Sequence, residues 1–534
     1  MTNESLVNRI LNVGLVIDDL DVSYWEYELV KKMISEQVAE VTTVMVLSQG
    51  ISAHPDNDAG RKIRDFHMRL DEKHFKPRPN AFAKKNLQDL IPDAKQWLTN
   101  VTVDHMSKEQ FDFIIWLSPQ SPQSYWYDHT NNGILSFAHG EENCSLAILG
   151  YEEFMKMEGV ISSALILKKK EEDLGKIIYQ TWSTMPSLSM SRSRNEHVCK
   201  LLSFVPRALN VFAKKGNDAF IGNPNYLAKE HSSNSRPLSK IKAITNLSNH
   251  FCRMVYNTLR KKLYREQWLL LFQSDQTPPT SFDQFKKIYP PKESFWADPI
   301  LVQREQKNYL FFEELPYANN RGFISVVEMD ENGFSSPITP IIQQPYHLSY
   351  PFIFEKEGTY YMVPESKENR NVQLYECKQF PLKWEHKMDL MQDVRAVDTT
   401  LFHHDGKWWM FTVMVENEGA GTNDELFLFY ADTPFTQDWT SHPNNPIISD
   451  VRSARPGGSI YVQDGKIIRP SQDCSKKYGY GFNLNEIEVL TETDYKEKRI
   501  LHITPWDKSI KRTHSFAHQK GISVIDGLIQ RRRF

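Results

Sequence analysis

Two aspartates stand at the same place in a repeated sequence pattern and could supply carboxylate chemistry. Asp298 lies in the run Ala-Asp-Pro-Ile-Leu-Val, and Asp398 lies in Val-Asp-Thr-Thr-Leu-Phe. Each acid directly precedes an apolar strand. Two carboxyl groups held close together can act as general acid and general base. The alternative is that each acid only caps the turn before its strand, but the matching positions of the two acids favour a functional role.

The stretch from 396 to 411 shows the element that would position such an acid. An apolar strand ends at Phe402, the polar turn from His403 to Gly406 reverses the chain, and a second strand continues to Phe411. The glycine falls where a hairpin turn needs a positive φ. The sequence therefore predicts a β-hairpin that starts at Asp398.

Similar hairpins recur through the second half of the chain. We call the residue or residue pair just before the first strand of each hairpin its anchor. The anchors are Asp298, Tyr350, Asp398, Arg455 with Gly457, and Thr513 with His514. Hairpins repeated at roughly 50 residues are typical of a β-propeller with one four-stranded sheet per blade. We expect a five-bladed propeller over 267–534, closed by pairing of the strand Trp268–Phe272 with the last blade. Equivalent blade positions converge on the axis, which predicts one funnel lined by Asp298, Asp398, Glu314, His347, Glu365, Arg455 and His514.

The first half of the chain has a different pattern, in which short apolar runs alternate with helical spacing. Residues 11–18, 23–34 and 41–47 read as strand, helix and strand, which predicts an α/β domain with a parallel sheet over 10–215. No glycine-rich loop follows the first strand; the acidic run Asp18-Asp19-Leu20-Asp21 is there instead. That run would repel a pyrophosphate and argues against dinucleotide binding.

Residues 216–266 are predicted to form a linker and a basic amphipathic helix. The segment from 215 to 237 has the composition of a linker, and apolar residues from Ile241 to Leu263 then mark one helix face among several lysines and arginines. Two interpretations remain open. The helix either packs between domains with a solvated basic face or contacts an anionic membrane.

The composition limits the classes of partner. A net charge of −3 gives no basic field for nucleic acid. The five cysteines are scattered and odd in number, which favours a reducing compartment and argues against a cysteine metal site. No stretch has the apolar length of a membrane span. We therefore expect a cytoplasmic protein, peripheral at the inner membrane face if the basic helix contacts lipid, and no metal ligands.

The first half resembles the N-terminal domain of formyltransferases. The resemblance rests on Gly-Ile-Leu-Ser-Phe-Ala-His-Gly at 133–140 and Glu-Asp-Leu-Gly-Lys at 172–176. It implies a second site at Ser136, His139 and Asp173. Ser136 takes the place of the family's asparagine, and Ala138 takes the place of its histidine, so the resemblance implies the fold without formyl transfer.

The second half resembles the N-terminal region of plant glucosamine inositolphosphorylceramide transferases and their bacterial relatives, a propeller akin to arabinanases and fructosidases. The motifs are Ser294–Pro299, His347–Pro351, Val363–Ser366, Val397–Phe402, Lys407–Phe411 and Arg469–Asp473. The resemblance implies that Asp298 is base or nucleophile and that Asp398 orients it. Arg455 stands where those hydrolases carry their acid. The plant enzymes' separate sugar-transfer domain has no counterpart in this chain.

An arginine at that position changes the expected reaction. Arginine is a poor proton donor at neutral pH but can clamp a phosphate. We therefore expect a carbohydrate-active transferase of glycan or glycolipid synthesis, with a nucleotide sugar as candidate donor, Glu365 in the catalytic group, and Arg455 with Arg469 as the phosphate clamp. Two alternatives remain: an amino-sugar formyltransferase with a propeller substrate module, and a non-catalytic carbohydrate-binding protein.

Overall fold

The structure is a computed structural model of the 534-residue chain. It describes residues 10–47, 59–91, 96–99, 110–140, 144, 146–157, 159–185, 188–220, 238–274, 279, 281–519 and 521–533. The chain divides into two compact units, one formed by Met1–Met254 with Glu416–Gly421, the other by Val255–Val415 with Thr422–Phe534. Most of the predicted linker, 221–237, lies outside the described residues.

The first unit is built on one sheet with helices. Its strands are β1 Leu11–Ile17, β2 Asp21–Ser23, β3 Ala39–Val46, β4 Lys84–Asn86, β5 Gln96–Thr99, β6 Phe113–Trp116, β7 Ile134–His139, β8 Val160–Lys168 and β9 Lys176–Thr184. Its helices are α1 Tyr24–Ser35, α2 Ala59–Phe75, α3 Ser124–Tyr127, α4 Tyr151–Lys156, α5 Met190–Leu201 and α6 Phe204–Lys215. Among the described residues the main sheet has the order β5-β3-β1-β6-β7-β8-β9.

The sheet of the first unit is mixed, which corrects the prediction of a parallel sheet. The five strands from β5 to β7 pair in parallel, whereas β8 and β9 are antiparallel to their neighbours. The connection from β8 to β9 runs only over 169–175. A parallel pair needs a crossover of a dozen or more residues, so this short loop can join only antiparallel strands.

Local signals explain the helices of this unit. The Ser23 backbone N–H and hydroxyl both contact the Glu26 carboxylate, at 2.7 and 2.5 Å, which closes a capping box at the start of α1. The apolar residues between 193 and 213 recur at helical spacing, and this segment forms the two helices α5 and α6, with the break between them just before Pro206. Pro206 lies in the first turn of α6, where a missing N–H leaves no helical hydrogen bond unmade.

Helix α7 extends from Lys240 to Leu263, in agreement with the predicted position, and the boundary between the two units falls within it. In the part of the chain that the structure describes, no helix combines the length and the apolar character needed to span a bilayer.

The second unit is the predicted five-bladed propeller. Its strands are β10 Tyr264–Gln273, β11 Lys286–Ile288, β12 Ser294–Arg304, β13 Lys307–Pro316, β14 Phe323–Asp330, β15 Gly333–Phe334, β16 Thr339–Ile342, β17 Ser349–Lys356, β18 Thr359–Glu365, β19 Asn371–Gln379, β20 Lys383–Gln392, β21 Ala396–His404, β22 Lys407–Met414, β23 Leu426–Ala431, β24 Thr440–Ser441, β25 Tyr461–Gln463, β26 Lys466–Asp473, β27 Gly481–Leu490, β28 Tyr495–Ile503, β29 Phe516–Gln519 and β30 Ile522–Arg532.

These strands form five antiparallel sheets among the described residues, and neighbouring sheets share apolar cores. The ring closes as predicted, because β10 pairs with β30 over the full span from Tyr264↔Arg532 to Gln273↔Ser523. First and last segments of the propeller therefore belong to one blade, and no exposed sheet edge is left between them.

Candidate functional site

An axial cavity in the propeller collects most of the titratable side chains that the sequence singled out. Its volume is about 300 Å³, and it is lined by Trp268, Phe295, Ala297, Asp298, Glu313, His347, Ser349, Glu365, Lys367, Glu368, Arg455, Tyr478 and His514. We call it the axial cavity. A larger cavity of about 590 Å³ lies between Gln306, Glu328 and Gly521, but its ionisable residues are surface groups such as Lys307 and Glu328, paired at 3.1 Å.

A repeated backbone bulge places the anchor residues of three blades. Asp298, Tyr350 and Asp398 all have positive φ, at 53°, 43° and 52°. In each blade the strand register shifts across that residue. Positive φ is costly for side chains of this kind, and an extra residue re-aims the chain locally. Because the same strained geometry recurs in three blades, it is a built feature of the axis rather than an accident of one turn.

Asp298 is held in a buried chain of groups with His514 and Asp526. Its Oδ1 accepts from the Ser515 hydroxyl at 3.0 Å and lies 3.3 Å from His514 Nε2. His514 Nδ1 lies 2.5 Å from Asp526 Oδ2. Burial raises the pKa of Asp298. Burial acts to lower the pKa of His514, but the carboxyl groups of Asp526, Asp298 and Asp398 together raise it. The imidazole thus bridges two carboxyl groups.

These same three residues are the candidate metal ligands. Among the described residues they form the group of carboxylate and imidazole atoms that lie within 4.8 Å of one another. His514 lies within ion-pair distance of both carboxyl groups, so attraction between an imidazolium and two carboxylates accounts for the closeness of the three groups.

Glu313 lies in the cavity with a second histidine. The Gly322 N–H donates to His347 Nδ1 at 3.0 Å, so the proton of the neutral ring is on Nε2. That nitrogen lies 3.3 Å from Glu313 Oε1. Burial, and then the charge of Asp298, raise the pKa of Glu313 well above its usual value. Among the carboxyl groups of this cavity, Glu313 and Asp298 both have a raised pKa, so the protonated form of Glu313 is favoured.

Glu365 has the opposite electrostatic setting. Its Oε1 lies 3.2 Å from Lys367 Nζ and its Oε2 lies 3.5 Å from Arg455 Nη2. Burial acts to raise the pKa of Glu365, but Lys367, Arg455 and a hydrogen bond with Asp398 together lower it. The ionised form of Glu365 is therefore favoured, in contrast to Glu313 in the same cavity.

Arg455 joins the cavity to Asp398. Its Nε donates to Asp398 Oδ2 at 2.6 Å and its Nη2 to Oδ1 at 3.3 Å. Its Nη1 donates to the Thr422 carbonyl at 3.3 Å and to Asn423 Oδ1 at 3.0 Å. Burial acts to lower the pKa of Arg455, but Asp398, Tyr478 and Glu365 together raise it well above the usual value. The guanidinium is committed to protein partners, so it positions Asp398 and Glu365 rather than offering a phosphate clamp.

The structure brings together most of the predicted site residues. Those that line the axial cavity are Asp298, His347, Glu365, Arg455 and His514, with Asp398 buried against Arg455. Glu314 is not among the lining residues, because neighbouring residues of a strand face opposite sides; Glu314 accepts from the Ser325 hydroxyl at 2.9 Å. Arg469 is not among them either, because its guanidinium pairs with Glu497 at 2.7 Å.

Several cavity residues were missed by the sequence reading. They are Glu313, Lys367, Tyr478, Trp268 and the buried Asp526. The adjacent acids Glu313 and Glu314 were a signal, since one of two neighbouring strand residues must face the axis. Trp268 stacks on His514 with ring centroids 4.3 Å apart, which no spacing along the sequence could show.

The predicted second site of the first unit has its own surroundings. His139 Nδ1 is 2.8 Å from the Ser163 hydroxyl, which is 2.8 Å from His197 Nε2. Asp173 lies in the β8–β9 loop and accepts from the Lys169 N–H at 3.1 Å. Ser136 is in β7, opposite Ile166 of β8. The formyltransferase resemblance of this unit stays a prediction.

The second unit is thus a five-bladed β-propeller with a carboxylate-lined axial cavity. Residues 284–521 match the family profile described as "Glucosamine inositolphosphorylceramide transferase 1, N-terminal". This match agrees with the resemblance seen in the motifs of the propeller half.

Three similar proteins show the extent of the likeness. Glucosamine inositolphosphorylceramide transferase 1 of Oryza sativa subsp. japonica is 36% identical over 207 residues, which are 38% of this chain and 28% of the rice protein. The protein of that name from Arabidopsis thaliana is 34% identical over 210 residues, 39% of this chain and 27% of its own length. The catalytic domain of Coprinopsis cinerea GH62 α-L-arabinofuranosidase superposes with a TM-score of 0.34 at 10% identity, over 50% of this chain and 98% of that domain.

Proposed function

We propose that this chain is a carbohydrate-active transferase that moves a sugar from an activated donor to a glycolipid acceptor, with the axial cavity as its active site. The observation that carries the proposal is that two buried carboxyl groups lining the same cavity have opposite pKa shifts. Glu313 has a raised pKa and Glu365 a lowered one. Titratable groups whose pKa values are pushed apart in one site are suited to act as acid and base.

The two carboxyl groups have different roles in the proposed reaction. Glu365 takes the proton of the acceptor hydroxyl as its oxygen attacks the anomeric carbon of the donor sugar. The bond from that carbon to the leaving oxygen breaks, and the leaving group departs with the electron pair. Glu313 donates a hydrogen bond or its proton to that leaving oxygen. The bridge from Asp298 through His514 to Asp526 holds the cavity wall beside them.

A phosphate on the donor needs a cation, and Lys367 suits this role better than the arginines. Its Nζ lines the cavity and has the carboxylate of Glu365 as its ion-pair partner at 3.2 Å. Lysine serves as a point charge for phosphate. Arg455 is committed to Asp398, and Arg469 to Glu497. The sequence-based clamp of Arg455 and Arg469 is therefore replaced by Lys367.

The names of the plant relatives support the choice of acceptor class. Those proteins are called glucosamine inositolphosphorylceramide transferases, a name that specifies an amino sugar and a phosphate-bearing ceramide lipid. The match spans only 28% of the rice protein. The lipid acceptor is therefore part of this proposal and is inferred from the partial similarity to the plant proteins.

Transfer to lipid vesicles tests the proposal. The purified chain is incubated with labelled nucleoside diphosphate sugars and vesicles that contain inositolphosphorylceramide, and lipid-bound label is measured. We expect transfer by the native chain and a loss in kcat of roughly 10²–10⁴-fold in Glu365→Gln. Glu376→Gln is the matched control, because Glu376 pairs with Lys378 and Lys387 at the blade surface, and we expect it to retain native kcat.

Three outcomes would contradict the proposal. Full activity in Glu365→Gln would remove the proposed base. Release of free sugar without lipid-bound label would indicate a hydrolase. Binding of sugar with no product under any donor would indicate the non-catalytic carbohydrate-binding protein that the sequence left open.

A further inference from the structure

Helix α7 exposes an apolar face to solvent. Its exposed apolar side chains are Ile241, Ile244, Phe251, Val255, Tyr256, Leu259 and Leu263. Ile241 is 78% exposed and Phe251 is 66% exposed. Of the 18 large hydrophobic residues that are exposed in the described part of the chain, seven lie on this one helix. Scattered exposed apolar residues are normal, but a contiguous row marks a binding surface.

The row follows the period of the helix. Successive members of the row are three, seven, four and four residues apart, so they share one side of α7. These residues are Ile241, Ile244, Phe251, Val255 and Leu259. Ala243 and His250, on the opposite side, are the buried residues of the helix. The usual orientation of an amphipathic helix is thus reversed: its small and polar residues face the protein, and its large apolar residues face outward.

The charges of α7 indicate what covers this face. The helix carries six lysines and arginines and has no aspartate or glutamate. Lys261 and Lys262 are exposed in its last turn. Lys242, Arg253 and Arg260 contact Glu152, Phe154 and Glu266, and Lys262 lies beside the apolar row. An outward apolar face on a helix of net positive charge is the pattern of an interfacial helix on an anionic bilayer. A protein partner for such a face would have to combine an apolar groove with acidic borders. An anionic bilayer already has an apolar interior and negatively charged headgroups.

A basic cleft lies at the end of α7 within the second unit. It has a volume of about 440 Å³ and is lined by Arg260, Lys261, Tyr264, Arg265, Glu266, Tyr317 and Arg533. Four of these side chains are cationic and one is anionic. The Arg265 guanidinium lies 4.3 Å above the Tyr317 ring, which fixes its position beside the cleft. The cleft therefore adds positive charge at the C-terminal end of the helix.

We propose that the outward face of α7 binds an anionic lipid bilayer, with Phe251, Val255 and Leu259 inserted at the headgroup boundary. Lys261, Lys262 and the cationic residues of the cleft then contact the anionic headgroups. Each apolar side chain contributes through burial, and each cation through attraction to the negative surface. This binding needs neither a sugar donor nor the chemistry of the axial cavity, so it stands or fails independently of the proposed function.

Vesicle flotation of the full chain tests the inference. Vesicles of phosphatidylcholine alone are compared with vesicles of phosphatidylcholine and phosphatidylserine, each at low and high salt. We expect binding to the anionic vesicles that weakens as salt rises, because salt screens exposed charges. Phe251→Ser with Leu259→Ser should lower the partition coefficient at least tenfold. Lys261→Ser with Lys262→Ser should lower it roughly fivefold per lysine.

Matched variants elsewhere keep the test specific. Val462 and Ile500 are exposed apolar residues of the propeller, 61% and 48% exposed, and Val462→Ser with Ile500→Ser should leave binding unchanged. Circular dichroism shows whether each variant is folded. Equal binding to both kinds of vesicle, or unchanged binding in the α7 variants, would overturn the inference. A dimer in sedimentation that the Phe251 and Leu259 changes dissociate, without lipid binding, would assign the face to a second copy of this chain instead.

Discussion

Replacement of Arg455 by methionine should destabilise the propeller strongly. Arg455 is 6% exposed, and its guanidinium contacts Asp398 twice, Glu365 once and two acceptors at Thr422 and Asn423. Methionine fills similar space but leaves the Asp398 carboxylate, 1% exposed, without its counter-ion. Removal of one partner of a buried ion pair costs about 3–5 kcal/mol.

Unfolding in guanidinium chloride, followed by circular dichroism, measures this loss of stability. Arg452→Met is the control, because Arg452 makes a comparable ion pair with Asp450 at 2.6 Å while its side chain is 43% exposed, and an exposed pair contributes at most about 1 kcal/mol. The double variant Arg455→Met with Asp398→Asn removes both charges and should recover more than half of the loss. If Arg455→Met cost no more than Arg452→Met, Arg455 would not be the support for the carboxylates that we describe.

The remaining predictions concern other buried ionisable groups. His514→Gln should cost stability mainly below about pH 6.5, and the cost should fade as pH rises, because the pKa of His514 is raised in the folded state; a pH-independent loss would contradict the imidazolium bridge. Burial lowers the pKa of His67 to about 4, so the first unit should lose up to about 3 kcal/mol between pH 6.5 and 4, and His67→Gln should flatten that dependence in acid titrations. Arg469→Met should lower the denaturation midpoint, because Arg469 pairs with Glu497 away from the axial cavity. The folded fraction should keep native kcat. A loss of kcat without a loss of stability would indicate that Arg469 belongs to the active site.

Strong local patterns made much of the fold predictable. The alternation of apolar strands, glycine turns and aromatic strands predicted the blades, and the apolar residues at helical spacing predicted α7. Helix α2 was missed because the residues it buries include Gly60, His67 and Asp71, so its inward face has no hydrophobic period to detect. Apolar runs mark the strands β8 and β9 in the sequence, but the short loop between them determines that they are antiparallel.

The site was predictable at the blade anchors and less so beyond them. Asp298 and Asp398 could be found because each heads a recognisable hairpin. The sequence pattern predicts Glu314 at the axis, whereas Glu313 lines the cavity. Two adjacent acids in one strand give no local signal of which one faces the axis. The commitment of Arg455 to Asp398 and Glu365 depends on three blades that meet at the axis, which is a tertiary contact with no local signature.

The adjacent glutamates provide the most direct test of the axial cavity as the active site. Glu313→Gln and Glu314→Gln are compared for kcat in the vesicle transfer assay, with unfolding curves to confirm that both variants are native. Glu313 lines the cavity and burial raises its pKa well above the usual value, whereas Glu314 accepts a hydrogen bond from Ser325. We predict a loss of roughly 10²-fold or more in Glu313→Gln and native kcat in Glu314→Gln. Equal kcat in the two variants, or a loss confined to Glu314→Gln, would contradict the account.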